Sequence, residues 1–278
     1  MTTPVPILMY HSVCREPGSV SPGFRPWTLH PARFAAHLTY LSQRGYRSLT
    51  VSELTATRRG GRAAPDGKAV VLTFDDAYGD FHTEALPLLR RYGFTATLYV
   101  PTAYVGATSG WMRAEGEGDR ALLTWSQLEE VAAAGVECGA HSHTHPELDR
   151  LPIPAIREEV TTSRRALRDR LGVPVCSFAY PYGEYDGRVR GAVAAAGYES
   201  ACTMKRFAST ERDDPLLLPR VSMTADTDVP ALAALLETSG RPARRHALNA
   251  KQRAWVAWRR LSRPAHRDDA TAAAPRDR

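Results

Sequence analysis

Two neighbouring carboxylates, Asp75 and Asp76, follow the apolar, β-branched run Ala69–Phe74, which reads as a strand. Where a buried strand ends, such a pair can divide labour: one carboxylate binds a cation while the other takes a proton from water. An isolated Asp pair is more often a turn or a helix cap. A second run, Val136–Ala140, leads into His141-Ser142-His143-Thr144-His145. His141 and His145 are four apart, so one helical turn would set both imidazoles on one side. Two histidines and a carboxylate are a usual ligand set for a catalytic zinc with an open position, and the set suits other divalent metals. Three histidines in five residues beside a strand end favour a metal over a purely structural reading. His143 would point away from its neighbours and is not counted as a ligand.

Three further constellations are weaker when taken singly. Ala179-Tyr180-Pro181-Tyr182-Gly183 combines Pro and Gly, which hold a fixed turn, with Tyr180 and Tyr182, which could wall a sugar pocket; the alternative is an aromatic turn packed on the core. His11, after the strand candidate Pro6–Tyr10, is of a residue type that can serve as a general acid near neutral pH; the alternative is a surface or packing residue. Arg220, after Pro219 in the strand candidate Leu216–Ser222, could orient a carboxylate by a charge-assisted pair.

The elements that must position these residues alternate. The other strand candidates are Tyr46–Leu49, Thr95–Val100, Val175–Ala179 and Tyr198–Thr203. Between the strands lie helix candidates Pro31–Arg44, Val51–Arg58, Phe81–Tyr92, Trp125–Ala134, Ile153–Leu171, Tyr185–Ala196 and Val229–Thr238. Pro31 suits a first helical turn, Thr124 suits an N-cap, and Gly45, Gly93, Gly135, Gly172 and Gly197 each stand just beyond a helical pattern. Strand–helix alternation predicts a parallel sheet, and seven or eight such units at 278 residues predict an α/β barrel. His11, Asp75–Asp76, His141–His145 and Tyr180–Tyr182 then all follow strands, and in a parallel barrel those ends share the face where active sites sit. Gly60–Gly67 and Gly106–Arg120 read as surface loops.

The net charge of +6 belongs to the C-terminus. Residues 241–278 carry eleven Lys or Arg against three Asp, leaving 25 basic and 27 acidic residues in the rest of the chain. A nucleic-acid-binding fold would place its basic patch on the folded body, so that class is not supported. The predicted organisation is a catalytic barrel over 1–240 and a basic tail over 241–278. Within the tail, His246–Leu261 has the pattern of a basic amphipathic helix, which could make peripheral contact with an anionic membrane or dock on the domain. The N-terminal MTTPVPILMYHSV has no basic residue ahead of its apolar stretch and does not read as a secretory signal, so the expected location is the cytoplasm or the cytoplasmic membrane surface. The four cysteines form no C-x-x-C pair, and Cys138, Cys176 and Cys202 read as buried free thiols.

Taken in order, TFDD (Thr73–Asp76), HSHTH (His141–His145) and AYPYG (Ala179–Gly183) resemble the successive motifs of the polysaccharide deacetylases, the NodB-homology group of carbohydrate esterase family 4. The resemblance covers about residues 5–240. ILMYHSV at the start and the F-x-x-H-L-x-x-L pattern from Phe34 resemble the branch containing poly-N-acetylglucosamine deacetylases, in which the acid histidine lies near the N-terminus as if the barrel were permuted. The resemblance implies a distorted (β/α) barrel of NodB type. It implies a metal-dependent hydrolase that removes N-acetyl groups from an N-acetylated sugar polymer or precursor and releases acetate. By resemblance Asp75 is the general base and His11 the general acid. Asp76, His141 and His145 bind one divalent metal, with zinc first and cobalt, nickel or manganese as alternatives. Tyr182 would offer its backbone N–H to the oxyanion, in the turn begun by Tyr180 and Pro181. Many members carry Arg where Ala179 stands, and that Arg steadies the catalytic Asp; Arg220 is the candidate substitute. Two other readings keep the chain in view: an amidohydrolase acting on a small non-carbohydrate amide, and a glycan-binding pseudoenzyme, against which the full set of ligands and base argues.

Overall fold

Every pairing in the main sheet is parallel. The computed structural model describes residues 4–61, 67–204 and 208–238. β1 (Ile7–Tyr10) is followed by a small parallel pair, β2 (Ser12–Val13) and β3 (Thr28–Leu29), and by α1 (Pro31–Gln43). Then come β4 (Tyr46–Leu49), α2 (Val51–Arg58), β5 (Lys68–Phe74), α3 (Leu86–Tyr92) and β6 (Thr97–Val100). The second half runs α4 (Trp125–Ala133), β7 (Glu137–Ala140), α5 (Ile153–Leu171), β8 (Ser177–Ala179), α6 (Gly187–Ala195), β9 (Ser200–Cys202), β10 (Val221–Ser222) and α7 (Val229–Thr238).

The sheet has the order β10-β1-β5-β6-β7-β8-β9, with β4 alongside β5. Cys202 bridges Leu218 in parallel, with Leu218 N–H donating to Ala201 and Thr203 N–H donating to Leu218, both at 2.8 Å. That bridge joins β9 to the segment entering β10 and closes the sheet into a distorted barrel of eight strands.

Local sequence explains the helices. Thr50 and Glu53 form a reciprocal capping box on α2, and Thr124 and Gln127 form another on α4. α5 buries Ile156, Val160, Ser163 and Leu167, one stripe at helical spacing, and stops at Gly172 in the left-handed region. The helix predicted over 81–92 differs at its start, where Phe81–Ala85 forms a wider π turn before α3. The last predicted strand also shortens. Pro219 has no N–H for the ladder, and regular pairing resumes only at Val221.

Strand alternation sorts the core into two layers. One set, including Leu8, Tyr10, Leu72, Phe74, Leu98, Val100 and Phe178, packs outward under the helices. The other, including Ile7, Val71, Tyr99, Ala179, Cys202 and Leu218, fills the barrel, with Leu49, Val51 and Leu54 packed beneath it. The interior is tight at Gly139, where a Cβ would come within 2.6 Å of both Ser177 Oγ and the Tyr99 ring. All four cysteines are free; Cys138 and Cys202 are buried, while Cys14 and Cys176 are partly exposed. Among the described residues no helix is long and apolar enough to cross a membrane. The predicted boundary near 240 and the helix predicted over His246–Leu261 lie outside the described residues.

Candidate active site

The alternation that sends Val71 and Thr73 inward carries on to Asp75, and the parity of Gly139 carries on to His141. Both side chains therefore meet over the carboxyl end of the barrel. Asp75 is 3% exposed and Asp76 5%. Asp76 leaves the strand with φ 73, a left-handed conformation uncommon for residues other than glycine but one that Asp tolerates better than most. This turn brings its Oδ1 to 3.5 Å from His141 Nε2 and 3.3 Å from His145 Nε2. The ligand atoms of Asp76, His141 and His145 all lie within 4.8 Å of one another.

The predicted helical turn across 141–145 is not what unites the two imidazoles. The segment is a bend, with Ser142 at φ 61 and His145 at φ 58. Ser142 Oγ accepts the His145 N–H at 3.0 Å. Glu159, on α5, accepts the N–H groups of His143 and Thr144 at 2.8 Å each and the Thr144 hydroxyl at 2.5 Å. Short polar and carboxylate contacts thus hold a bend where a helix would otherwise form. His143 turns away, its Nδ1 2.9 Å from Thr102 Oγ1.

The donor set fits a divalent cation. His141 Nδ1 lies 2.8 Å from the Ala179 carbonyl, so a proton there leaves Nε2 free as a ligand toward Asp76. Burial lowers the His141 pKa to about 4, although Asp75 and Asp76 pull it upward. The imidazole is therefore neutral at physiological pH, as ligation requires. Burial alone would raise Asp76, but its contacts with His145, His11 and His141 outweigh this and hold it below the usual carboxylate range. Two imidazoles and one carboxylate, with three ligand atoms already converged, form a group that could hold a divalent cation.

Asp75 stands beside this group, its Oδ2 4.0 Å from His141 Nε2. Arg220 grips it bidentately, Nη1 to Oδ1 at 2.6 Å and Nη2 to Oδ2 at 2.8 Å. Arg220 is itself fully buried, donates to the Thr203 carbonyl at 3.0 Å, and lies over the Tyr99 ring. Burial pushes Asp75 up, yet Arg220 and His141 more than offset it, so the carboxylate stays ionised. Arg220 is not within a strand as expected. It directly precedes β10 and enters the barrel from the closure.

The remaining predicted residues divide. His11 follows β1 on the same face, its ring 5.0 Å from Trp27 and 6.5 Å from Phe24. Tyr182, at φ 59 in the turn Pro181–Gly183, sets its ring 4.8 Å from His145. Pro181 is buried in that turn. Tyr180 is not a wall of the site: it has the outward parity of Phe178, is fully buried, and donates its hydroxyl to the Leu216 carbonyl at 2.9 Å.

Sequence reasoning missed the opposite wall. Gly106–Arg120 is not a simple surface loop. Ser109 and Glu117 are buried, and the turn Gly110–Glu115 lays Trp111 against His145 with ring centroids 4.9 Å apart. Trp27, Phe24 and Tyr78 continue this aromatic side. Their density in two loop segments, 24–27 and 104–111, was the available signal; nothing in the sequence singles out Glu159 from the other charges of α5.

A parallel barrel that gathers an ionised carboxylate and an Asp-His-His group at its carboxyl edge has the arrangement expected of a hydrolase. A family model for polysaccharide deacetylases matches residues 62–201, half of the chain, and the chain belongs to the polysaccharide deacetylase family. It is 27% identical over 234 residues to YxkH of Bacillus subtilis, covering 84% of this chain and 76% of that protein. It is 26% identical over 197 residues to the poly-β-1,6-N-acetyl-D-glucosamine N-deacetylase of Escherichia coli K12, covering 60% of this chain but only 29% of that longer relative. Among solved structures, IcaB from Ammonifex degensii superposes with a TM-score of 0.70 at 26% identity, covering 85% of this chain and 98% of that one.

Proposed function

We propose that the protein is a metal-dependent N-deacetylase acting on a poly-N-acetylglucosamine-like glycan. The observation that carries this reading is the convergence of Asp76, His141 and His145 beside an Arg-held Asp75. The substrate class rests on the likeness to the Escherichia coli enzyme, whose name states that polymer.

Asp76, His141 and His145 would hold a divalent cation, which would supply Lewis-acid polarisation of the acetamide carbonyl and a lowered pKa for water. Asp75, ionised and fixed by Arg220, takes the proton of the attacking water. The backbone N–H of Tyr182 donates to the developing oxyanion. His11 then protonates the departing nitrogen, so the C–N bond breaks to acetate and a free amino sugar. Trp111 and Tyr182, on either side of His145, confine the sugar ring.

The test is acetate release from a panel of N-acetylated glycans, with and without chelator. Chelator-sensitive release from an N-acetylglucosamine polymer is expected. No metal-dependent release from any member of the panel would overturn the reading.

A further inference from the structure

Among the described residues no side-chain hydrogen bond orients His11: its Nδ1 is buried without a partner there. Its position depends on two other constraints. One is the aromatic seat of Trp27 and Phe24. The other is the backbone leading into Ser12, which pairs with Thr28 in the small β2–β3 sheet.

Both constraints run through one guanidinium. Arg120 donates from Nη2 to Ser12 Oγ at 2.7 Å and to Asp80 Oδ2 at 2.9 Å. Ser12 Oγ also donates to Asp80 Oδ2, at 2.5 Å. The same guanidinium lies over the Phe24 ring at 4.9 Å and the Tyr78 ring at 4.6 Å. Its Nη1 reaches Glu117 Oε2 at 3.4 Å, and Glu117 accepts the Ser21 N–H from the segment that carries Phe24. Arg120 and Asp80 side chains are only 17% and 15% exposed, so these contacts are largely shielded from water.

Three segments therefore converge on Arg120: the one that carries His11 into Ser12, the one that carries Phe24 and Trp27, and the one that leaves Asp75–Asp76 through Tyr78 and Asp80. We propose that Arg120 is a positioning residue that fixes the general acid His11 relative to the base and the metal group. The proposal rests on the assignment of His11 as the acid. A lysine cannot reproduce the three-way contact of a planar fork, but it retains the charge. Displacing an acid by about 1 Å is enough to cost on the order of a hundredfold in rate.

The experiment is a double-mutant cycle on the zinc-loaded full chain, with kcat and KM measured by acetate release from an N-acetylglucosamine oligomer. Arg120→Met should lower kcat between about tenfold and a hundredfold and leave KM within about twofold. Arg120→Lys should recover part of the loss, and zinc affinity by calorimetry should match the parent. In a His11→Ala background, Arg120→Met should have almost no further effect, because its influence passes through the missing imidazole. Ser12→Ala removes one contact without stranding a charge and should give a smaller loss of the same kind, so the test stands even where Arg120→Met folds poorly. Multiplying effects in the double mutant would overturn the proposal while leaving His11 as the acid. Unchanged kcat in His11→Ala would remove the assignment on which it rests, and the proposal with it.

Discussion

Arg220 holds both oxygens of Asp75 in a bidentate pair at 2.6 and 2.8 Å, and the arginine is wholly buried. A residue just ahead of the last strand thus fixes a carboxylate introduced 145 positions earlier.

Arg220→Ala should lower kcat at least about a hundredfold, since it releases the base. It should also destabilise the protein by about 3–5 kcal/mol, because it leaves a buried carboxylate unpaired. Arg220→Lys should fall between, keeping charge but losing the fork. Steady-state acetate release and urea melts measure the two effects; full activity in Arg220→Ala would refute the role.

Glu159 touches no candidate ligand side chain, yet it fixes the bend between His141 and His145 through three hydrogen bonds. Glu159→Ala should weaken zinc binding about 10- to 100-fold, the usual cost of losing an outer support. Titration calorimetry reads this directly, and circular dichroism should show an unchanged fold. An unaltered zinc affinity would mean that Ser142 and the strained backbone suffice alone.

Asp80 gives the fold a distinctive pH signature. Burial, partly countered by Ser12 and Arg120, pushes its carboxyl up to about 6 from an ordinary 3.8. The folded state then binds this proton more tightly than the unfolded chain. Its stabilising contribution is full below pH 3.8 and is lost as the pH rises through about 6. The contribution is on the order of 1–3 kcal/mol. In Asp80→Asn, Tm plotted against pH should lose that downward component between pH 4 and 6. An identical slope in both proteins would contradict the assignment.

Much of this was legible in the sequence because the strands announce themselves. Ala69–Phe74 and Val136–Ala140 are apolar, β-branched or small, and each runs straight into its chemistry, so Asp75 and His141 are read at strand ends, where β5 and β7 also end. The failures have local causes. The four-residue spacing of His141 and His145 suggested a helical turn, but left-handed backbone at Ser142 and His145, held by Glu159, was not encoded in that spacing. Tyr180 looked like a pocket wall because aromatics flank Pro181, and strand parity sent it outward instead. The Trp111 wall and the Arg120 junction depend on contacts between residues 34 to 108 positions apart, beyond any periodic signal.

The central claim is that metal binding and base catalysis reside on adjacent carboxylates with different tasks. The most direct measurement is zinc stoichiometry and acetate release on Asp75→Asn and Asp76→Asn side by side. Asp75→Asn should bind one equivalent of zinc and lose at least about a hundredfold in kcat, whereas Asp76→Asn should lose both the zinc and the turnover. Near-normal turnover in Asp75→Asn, or a full equivalent of tightly held zinc in Asp76→Asn, would contradict it.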